Sequence, residues 1–76
     1  MKELVEVIAK ALVDSPDEVV VTESMKGDDI LIELKVAAAD MGKVIGKQGR
    51  TARALRTLLG AASSKAHRRV MLEIVE

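Results

Sequence analysis

The stretch MGKVIGKQGRTARALR, residues 41–56, contains five basic side chains and no acidic one. Near its middle, Lys47 and Gln48 stand between Gly46 and Gly49. Glycine adopts positive φ readily and has no Cβ, so another backbone can approach such a segment closely. A helix that begins directly after it adds unpaired N–H groups and a partial positive charge, which favour phosphate. The pattern therefore predicts a loop suited to an anionic chain.

The spacing Gly-x-x-Gly carries little weight alone, because a chain with five glycines in 76 residues can produce it by chance. The neighbouring residues make a functional loop the better interpretation, because Lys47 lies inside the loop and Arg50 follows it directly. Gln48 adds hydrogen-bonding capacity. Gly42 stands one helical turn before the loop, where it either leaves a shallow floor for a flat base or lets two helices pack closely. Both interpretations of Gly42 stay open at this point.

Charge is divided unevenly along the chain, although its net value is zero. Residues 1–39 hold nine acidic and four basic side chains, whereas residues 40–76 hold three acidic and eight basic ones. Between residues 41 and 72 no acid occurs. Such asymmetry is typical of a protein with a polyanionic partner, and it also arises by accident from ordinary solvated surface charge.

Length and composition predict one domain over residues 1–76. The residues are 49% hydrophobic and none is aromatic, so an aliphatic core is expected. The absence of cysteine favours a reducing, cytoplasmic location and excludes disulfides and thiolate metal sites. No apolar run reaches the about 18 residues of a membrane span, so no membrane is expected. No metal or other cofactor is expected either, because the single histidine has no cysteine or second histidine as a partner. His67, the single histidine, is predicted to lie on the surface.

Periodicity predicts the element order α-β-β-α-α-β. Apolar residues recur with helical spacing over 2–13 and 50–63, β-branched residues are frequent over 18–25 and 68–75, and apolar and polar residues alternate over 30–36. A short helix is predicted over 41–45, with Asp40 as its N-cap and Gly46 ending it in the left-handed conformation. A polar turn joins the first two strands in an antiparallel hairpin.

The crossover through two helices predicts that the third strand runs parallel to the second. The predicted fold class is therefore α+β, with a three-stranded mixed sheet in the order first, second, third strand and all helices packed on one face. The buried face of the second strand should contain Ile30, Ile32, Leu34 and Val36. The long helix should bury one face (Ala52, Leu55, Leu58, Leu59 and Ala62) and present arginines on the other (Arg50, Arg53 and Arg56).

The segment VIGKQGR, residues 44–50, in a chain with this element order resembles the signature of the KH (K-homology) domain of RNA-binding proteins, in its bacterial, type II form. The resemblance covers essentially the whole chain. It implies a groove for about four nucleotides of single-stranded RNA or DNA, and a non-catalytic role as an RNA chaperone or adaptor. The implied site comprises backbone contacts (Gly46, Lys47, Gln48 and Gly49), an aliphatic floor (Gly42, Ile45, Val70 and Leu72) and neighbouring cations (Lys43, Arg50 and Arg53).

Small bacterial proteins of this kind are associated with homodimers and with a larger partner that carries its own KH domain. The resemblance therefore implies a homodimer, a heterodimer with such a partner, or both. Nothing in the composition of the chain decides between them.

Three other classes of protein share part of this pattern. A P-loop enzyme requires Gly-x-x-x-x-Gly-Lys-Ser/Thr, and Gln48 stands where that hydroxyl is needed. A helix-turn-helix DNA-binding protein would use residues 50–63 as its recognition helix, although a flanking three-stranded sheet is unusual for that motif. A KH-fold module that serves only for dimerisation or protein contacts is also compatible with the sequence.

Overall fold

The computed structural model describes residues 2–66 and 68–75, without the side chains of 62–66. The elements are α1 (Lys2–Leu12), β1 (Val20–Lys26), β2 (Asp29–Lys35), α2 (Met41–Ile45), α3 (Arg50–Ala66) and β3 (Val70–Val75). This is the predicted order, with each bound within three residues of its expected place. The expectations for His67 and for the Ala62 side chain lie outside the described residues. No helix in the described part of the chain is long and apolar enough to cross a bilayer.

The sheet has β2 at its centre, as predicted. β1 pairs with β2 in antiparallel register over the full length of both strands. The turn between them contains Gly27, whose φ of 61° suits a tight hairpin. β3 pairs with β2 in parallel register, beginning with Val70 beside Ile30. The mixed sheet and its strand order are therefore confirmed.

All three helices cover the same face of this sheet. Ile32 and Leu34, at the middle of β2, have no accessible surface. They belong to one buried cluster that contains side chains from every helix and strand (Val5 and Ala9 from α1, Val21 from β1, Val44 from α2, Leu55 and Leu59 from α3, Leu72 from β3). The predicted packing of the helices on one face is confirmed, and it places α2 and α3 side by side next to β3.

Leu58 was predicted to lie in the buried face of α3, and this is wrong: the residue is 52% exposed. The buried residues Ala52, Leu55 and Leu59 project within about 60° of one another around the helix axis, whereas Leu58 projects about 100° from Leu59. The sheet therefore covers a strip of α3 that is narrower than the apolar face in the sequence.

Asp40 lies at the predicted N-cap position of α2, but its carboxylate makes no capping hydrogen bond. The chain enters α2 through the 3₁₀ turn Ala38–Asp40, so Asp40 has a helical backbone, with φ −97° and ψ −3°. Its buried carboxylate instead accepts hydrogen bonds from the backbone N–H groups of Asp14, at 3.2 Å, and Ser15, at 3.1 Å. Asp40 thus ties the segment after α1 to the start of α2.

Candidate nucleic-acid interface

The loop 46–49 turns the chain sharply between α2 and α3. Gly46 has φ 78° and ψ 170°, and Gly49 has φ 74°, conformations that favour glycine. Between them, Gln48 takes the left-handed conformation, with φ 57° and ψ 26°. The prediction that Gly46 ends α2 is confirmed, although its ψ is extended rather than left-handed. Lys47 and Gln48 are both exposed, so the middle of the loop is open to a ligand.

Gly46 is required for a second reason, because it packs against the first turn of α3. A Cβ at this position would lie 2.3 Å from Oγ1 of Thr51 and 2.8 Å from the Thr51 backbone nitrogen. At Gly49, by contrast, a Cβ would meet nothing within 4 Å. Gly46 therefore fixes how closely the loop approaches α3, whereas Gly49 contributes only its backbone conformation.

Backbone N–H groups are available at the outer side of the loop. The Gly49 N–H donates to the Gly46 carbonyl at 3.1 Å, and the Arg50 N–H donates to the Lys47 carbonyl. Lys47 and Gln48 are the first two residues of this turn, so their N–H groups have no hydrogen-bond partner within it. The N-terminus of α3 follows immediately, and its dipole adds partial positive charge. The loop can therefore receive an anionic oxygen on main-chain donors.

A groove runs from this loop along α3 to β3. It has a volume of about 520 Å³ and is lined by Ile45, Gly49, Ala52, Arg53, Arg56 and Ile74. Ile45 of α2 and Ile74 of β3 contribute aliphatic side chains to it, and Arg53 and Arg56 of α3 contribute cationic ones. An apolar depression with a few polar groups at its margin is the usual form of a small ligand site in a protein.

The edge strand β3 presents backbone groups beside this groove, next to the lining residue Arg56. The Val36 N–H donates to the Val75 carbonyl at 3.2 Å, so odd-numbered residues of β3 face β2. Since alternate residues of a parallel strand bond to the same neighbour, the N–H and C=O groups of Leu72 face the open edge. Arg56 reaches this edge, where its guanidinium donates a long hydrogen bond of 3.5 Å to the Leu72 carbonyl.

The comparison with known proteins agrees with this geometry. The family model described as "KhpA/KhpB, KH domain" matches residues 2–74. The chain belongs to this family. The type II KH resemblance predicted from the motif and the element order is therefore confirmed. The groove beside the loop 46–49 is called the KH groove below.

Several relatives match along their whole length. The RNA-binding protein KhpA of Caldanaerobacter subterraneus subsp. tengcongensis is 61% identical over 75 residues, which are 99% of this chain and 100% of that protein. The RNA-binding protein KhpA of Clostridium acetobutylicum is 59% identical with the same coverage. The RNA-binding protein KhpA of Listeria monocytogenes is 47% identical over 76 residues, 100% of both chains. No solved structure matches the chain.

The KH groove contains part of the predicted site. Ile45, Gly49 and Arg53 line it, while Gly46, Lys47, Gln48 and Arg50 adjoin it in the loop and at the start of α3. Leu72 is 6% exposed with its side chain in the core, so only its backbone can contribute to a floor. Val70 packs partly buried against the same core.

The remaining two predicted residues, Gly42 and Lys43, also lie outside the groove lining. A Cβ at the exposed Gly42 would meet nothing within 4 Å, so close packing of two helices does not account for this glycine. The Lys43 ammonium donates a hydrogen bond to the Asp14 carboxylate, and this bond raises the pKa of Lys43. Lys43 is therefore engaged on the side of α1, in an exposed ion pair of the kind that contributes little stability.

Other groove residues were not predicted. Arg56 belonged to the arginine face of α3 but was not assigned to the site, because only its spacing from Arg53 pointed to it. Ile74 was missed because the register of β3 determines which of its side chains faces the groove. Among the described residues, Lys47, Arg50, Arg53 and Arg56 make no ion pair, and no group of three His, Cys, Asp or Glu side chains could hold a metal.

Proposed function

We propose that this chain is a non-catalytic, cytoplasmic RNA-binding protein that holds single-stranded RNA as a chaperone or adaptor. The sugar-phosphate backbone lies on the loop 46–49, and the bases turn into the KH groove. The observation that carries the proposal is the conformation of the loop, with glycine-specific dihedral angles on both sides of an exposed Lys47 and Gln48. The printed names of the relatives, RNA-binding protein KhpA, support the same nucleic acid.

The charges around the loop support an anionic ligand. Lys47, Arg50 and Arg53 have no acidic partner among the described residues, so a phosphate does not have to displace an existing ion pair. The free N–H groups of the loop add directed donors, and the start of α3 adds its dipole. These groups contact the backbone of the strand and are insensitive to its sequence.

The groove supports binding of unpaired bases. Ile45 and Ile74 offer aliphatic surface for the flat faces of a base, and the outward N–H and C=O of Leu72 offer one donor and one acceptor for its edge. Arg56 donates one long hydrogen bond to that carbonyl in the free protein, and the second lone pair of the oxygen can accept from a base as well. Bases in a duplex have these edges paired, so a single strand is the better ligand.

The loop is tested by replacing Lys47 and Gln48 with aspartate. Both side chains are exposed, so the double variant should fold, and its affinity for a single-stranded RNA should fall by about tenfold or more. Lys26→Asp, at the exposed end of β1, is a control that makes the same charge change as Lys47→Asp at a distance from the groove. Equal affinities of the double variant and the unsubstituted chain, measured by fluorescence anisotropy at fixed salt, contradict the assignment of the loop.

Competition between nucleic acids separates this proposal from a helix-turn-helix mode of binding. With α3 in a major groove, duplex DNA should displace labelled single-stranded RNA efficiently. With the bases in the KH groove, an unlabelled single strand should displace it and a duplex of the same sequence should not. Single-stranded DNA in the same assay tells whether the groove requires the 2′-hydroxyl.

We also propose that the chain acts as a homodimer, as a heterodimer with a KhpB-like KH protein, or as both. One KH groove contacts only about four nucleotides, so tight binding requires a second groove acting through effective concentration. The family description, which names KhpA and KhpB together, supports such pairing. Sedimentation at several protein concentrations, with and without RNA and with a KhpB-like protein, distinguishes the three cases, and a monomer under all conditions contradicts them.

A further inference from the structure

The helix α2 is too short to hold the loop 46–49 in place by itself. It has five residues, and one of them is Gly42, a poor helix former. Isolated helices shorter than about 12 residues are marginal in water, so α2 depends on contacts with the rest of the chain. Val44 is its one buried residue, and Met41 packs against the core with part of its surface exposed. A further contact is therefore needed to fix the first turn of α2.

Asp40 supplies this contact at the start of α2. It is 2% exposed, and no other charged or polar residue in the described part of the chain is buried. One carboxylate oxygen accepts a hydrogen bond from the Asp14 N–H at 3.2 Å, and the other accepts from the Ser15 N–H at 3.1 Å. Both donors lie just after α1, which is packed into the core through Val5 and Ala9. The carboxylate therefore joins α2 to a helix that is itself held by burial.

The charge of Asp40 strengthens this link. Burial of a carboxylate is unfavourable unless the charge is compensated, and Asp40 forms no ion pair among the described residues. Its compensation comes from the two main-chain N–H groups, and hydrogen bonds to a charged acceptor are about twice as strong as those between neutral groups. Lys43 adds only an exposed ion pair with Asp14 to the same junction. Asp40 is thus the main link between the two helices at this point.

The first turn of α2 is bonded directly to the loop. The Gly46 N–H donates to the Gly42 carbonyl at 2.9 Å, and Gly42 lies two residues after Asp40. If the link at Asp40 is removed and this turn unwinds, the bond is lost, and nothing in α2 then holds Gly46 at φ 78°. Ile45, which lines the KH groove, belongs to the same turn. The loop therefore depends on a carboxylate about 9 Å away along the helix axis, at 1.5 Å per residue.

We propose that Asp40 is a positioning residue for RNA binding, whose carboxylate fixes the first turn of α2, and through it the loop 46–49, without touching the ligand. This inference rests on the proposed function and adds to it a residue outside the KH groove. A site that is ordered before binding holds its ligand more tightly than one that has to be ordered by it. The apparent affinity falls in proportion to the fraction of folded molecules whose loop has the competent conformation.

The test measures the RNA affinity of variants that are folded. Asp40→Ala should bind a labelled single strand of about eight nucleotides about tenfold more weakly than the unsubstituted chain, the loss expected when about one folded molecule in ten has a competent loop. Asp40→Asn keeps one oxygen that accepts from a main-chain N–H, so it should restore part of the affinity. Fluorescence anisotropy is measured at fixed salt and at a temperature where circular dichroism shows each variant to be folded.

Val21→Ala is the control for a loss of stability alone. Val21 is buried in β1, at the opposite edge of the sheet from β3, and it does not belong to α2. Its truncation leaves a cavity in the core and should lower the urea concentration at which the chain unfolds. In the folded state this variant should bind RNA as tightly as the unsubstituted chain.

An NMR readout follows the loop in the absence of RNA. The amide resonances of Gly46 and Gly49 should move towards their random-coil positions in Asp40→Ala, because the loop then exchanges between two conformations. They should lie between the two extremes in Asp40→Asn and stay in place in Val21→Ala. A residue that acts only through global stability would not move them while the chain is folded.

The outcomes separate this inference from the function on which it rests. If folded Asp40→Ala binds RNA with full affinity, if Val21→Ala loses as much, or if the Gly46 resonance stays in place in Asp40→Ala, the positioning role is refuted and the loop assignment is not. If the Lys47 and Gln48 double variant binds normally, or the unsubstituted chain does not bind, both proposals fail. If Asp40→Ala does not fold, Asp40→Asn decides: a partial loss of affinity with shifted resonances supports the role, and full affinity overturns it.

Discussion

Substitution of Gly46 by alanine tests the geometry on which the interface depends. The new Cβ would lie 2.3 Å from Oγ1 of Thr51 and 2.8 Å from both the Cβ and the backbone nitrogen of Thr51. Rotation of the Thr51 side chain removes only the first contact, so the loop or the start of α3 has to move. Overpacking of this kind costs about 1–3 kcal/mol, and a backbone with φ 78° and ψ 170° costs a residue other than glycine about 1–3 kcal/mol more.

Part of this cost is offset, because alanine reduces the conformational entropy of the unfolded chain by about 0.4–1 kcal/mol. The net loss should therefore be between about 1 and 5.6 kcal/mol, and the middle of this range is a large share of the stability of a small domain. Gly49→Ala is the matched control. It meets no atom within 4 Å, so it should lose only about 1 kcal/mol through its φ of 74°.

The assay is urea unfolding followed by far-ultraviolet circular dichroism, because the chain has no aromatic residue to provide fluorescence. Gly46→Ala should unfold at a clearly lower urea concentration than Gly49→Ala. Adding Thr51→Ala to Gly46→Ala should recover only part of the loss, since the contacts to the Cβ and the backbone nitrogen of residue 51 remain. Equal stability of the two single variants, or full recovery in the double variant, refutes the reasoning.

Three further predictions concern Asp40, Arg53 and the ion pair of Glu6 and Lys10. Asp40→Ala leaves the N–H groups of Asp14 and Ser15 without their acceptor, so it should lower the free energy of unfolding by about 2–4 kcal/mol. Asp40→Asn should cause a smaller loss. If urea unfolding shows no loss for Asp40→Ala, these hydrogen bonds do not tie the segment after α1 to α2. Arg53→Glu should weaken RNA binding and reduce the slope of log affinity against log salt by about 0.7, and an unchanged slope places that side chain away from phosphate. The Lys10 ammonium donates a hydrogen bond to the Glu6 carboxylate and lowers the pKa of Glu6. The pair therefore stabilises the fold above the pKa that Glu6 has in the unfolded chain. This effect is lost as the pH falls through the pKa of Glu6 in the folded chain. NMR titration should therefore give a higher Glu6 midpoint in Lys10→Met, and an identical midpoint excludes the bond in solution.

Most of the fold could be predicted because its signals are local. The alternation over residues 30–36 selects the buried face of β2, and Ile30, Ile32, Leu34 and Val36 are all buried. The parallel direction of β3 follows from a crossover through two helices, which returns the chain in the same direction. The loop was recognisable because glycine has a conformational role that no other residue type shares.

The remaining features depend on tertiary contacts. Helical periodicity shows that Leu58 shares a side of α3 with other apolar residues, but the width of the strip that the sheet covers depends on how α3 lies on it. Asp40 has the residue type of an N-cap, but the preceding 3₁₀ turn directs its carboxylate towards Asp14 and Ser15. Arg56 meets Leu72 only because the register of β3 exposes that carbonyl. None of these relations leaves a pattern in the sequence.

The contact between Arg56 and Leu72 has a consequence for self-assembly. A three-stranded sheet ends in two rows of peptide groups, and such rows recruit strands from other chains during aggregation. On β1 the outer row is accompanied by exposed charges, Glu23 and Lys26, which discourage recruitment. On β3 the exposed Glu73 adds a charge of the same kind, and the Arg56 guanidinium covers the Leu72 carbonyl from the neighbouring helix. Arg56 thus covers one of the free carbonyl groups at this edge of the sheet, and a hydrogen bond of 3.5 Å leaves the guanidinium able to exchange with another partner.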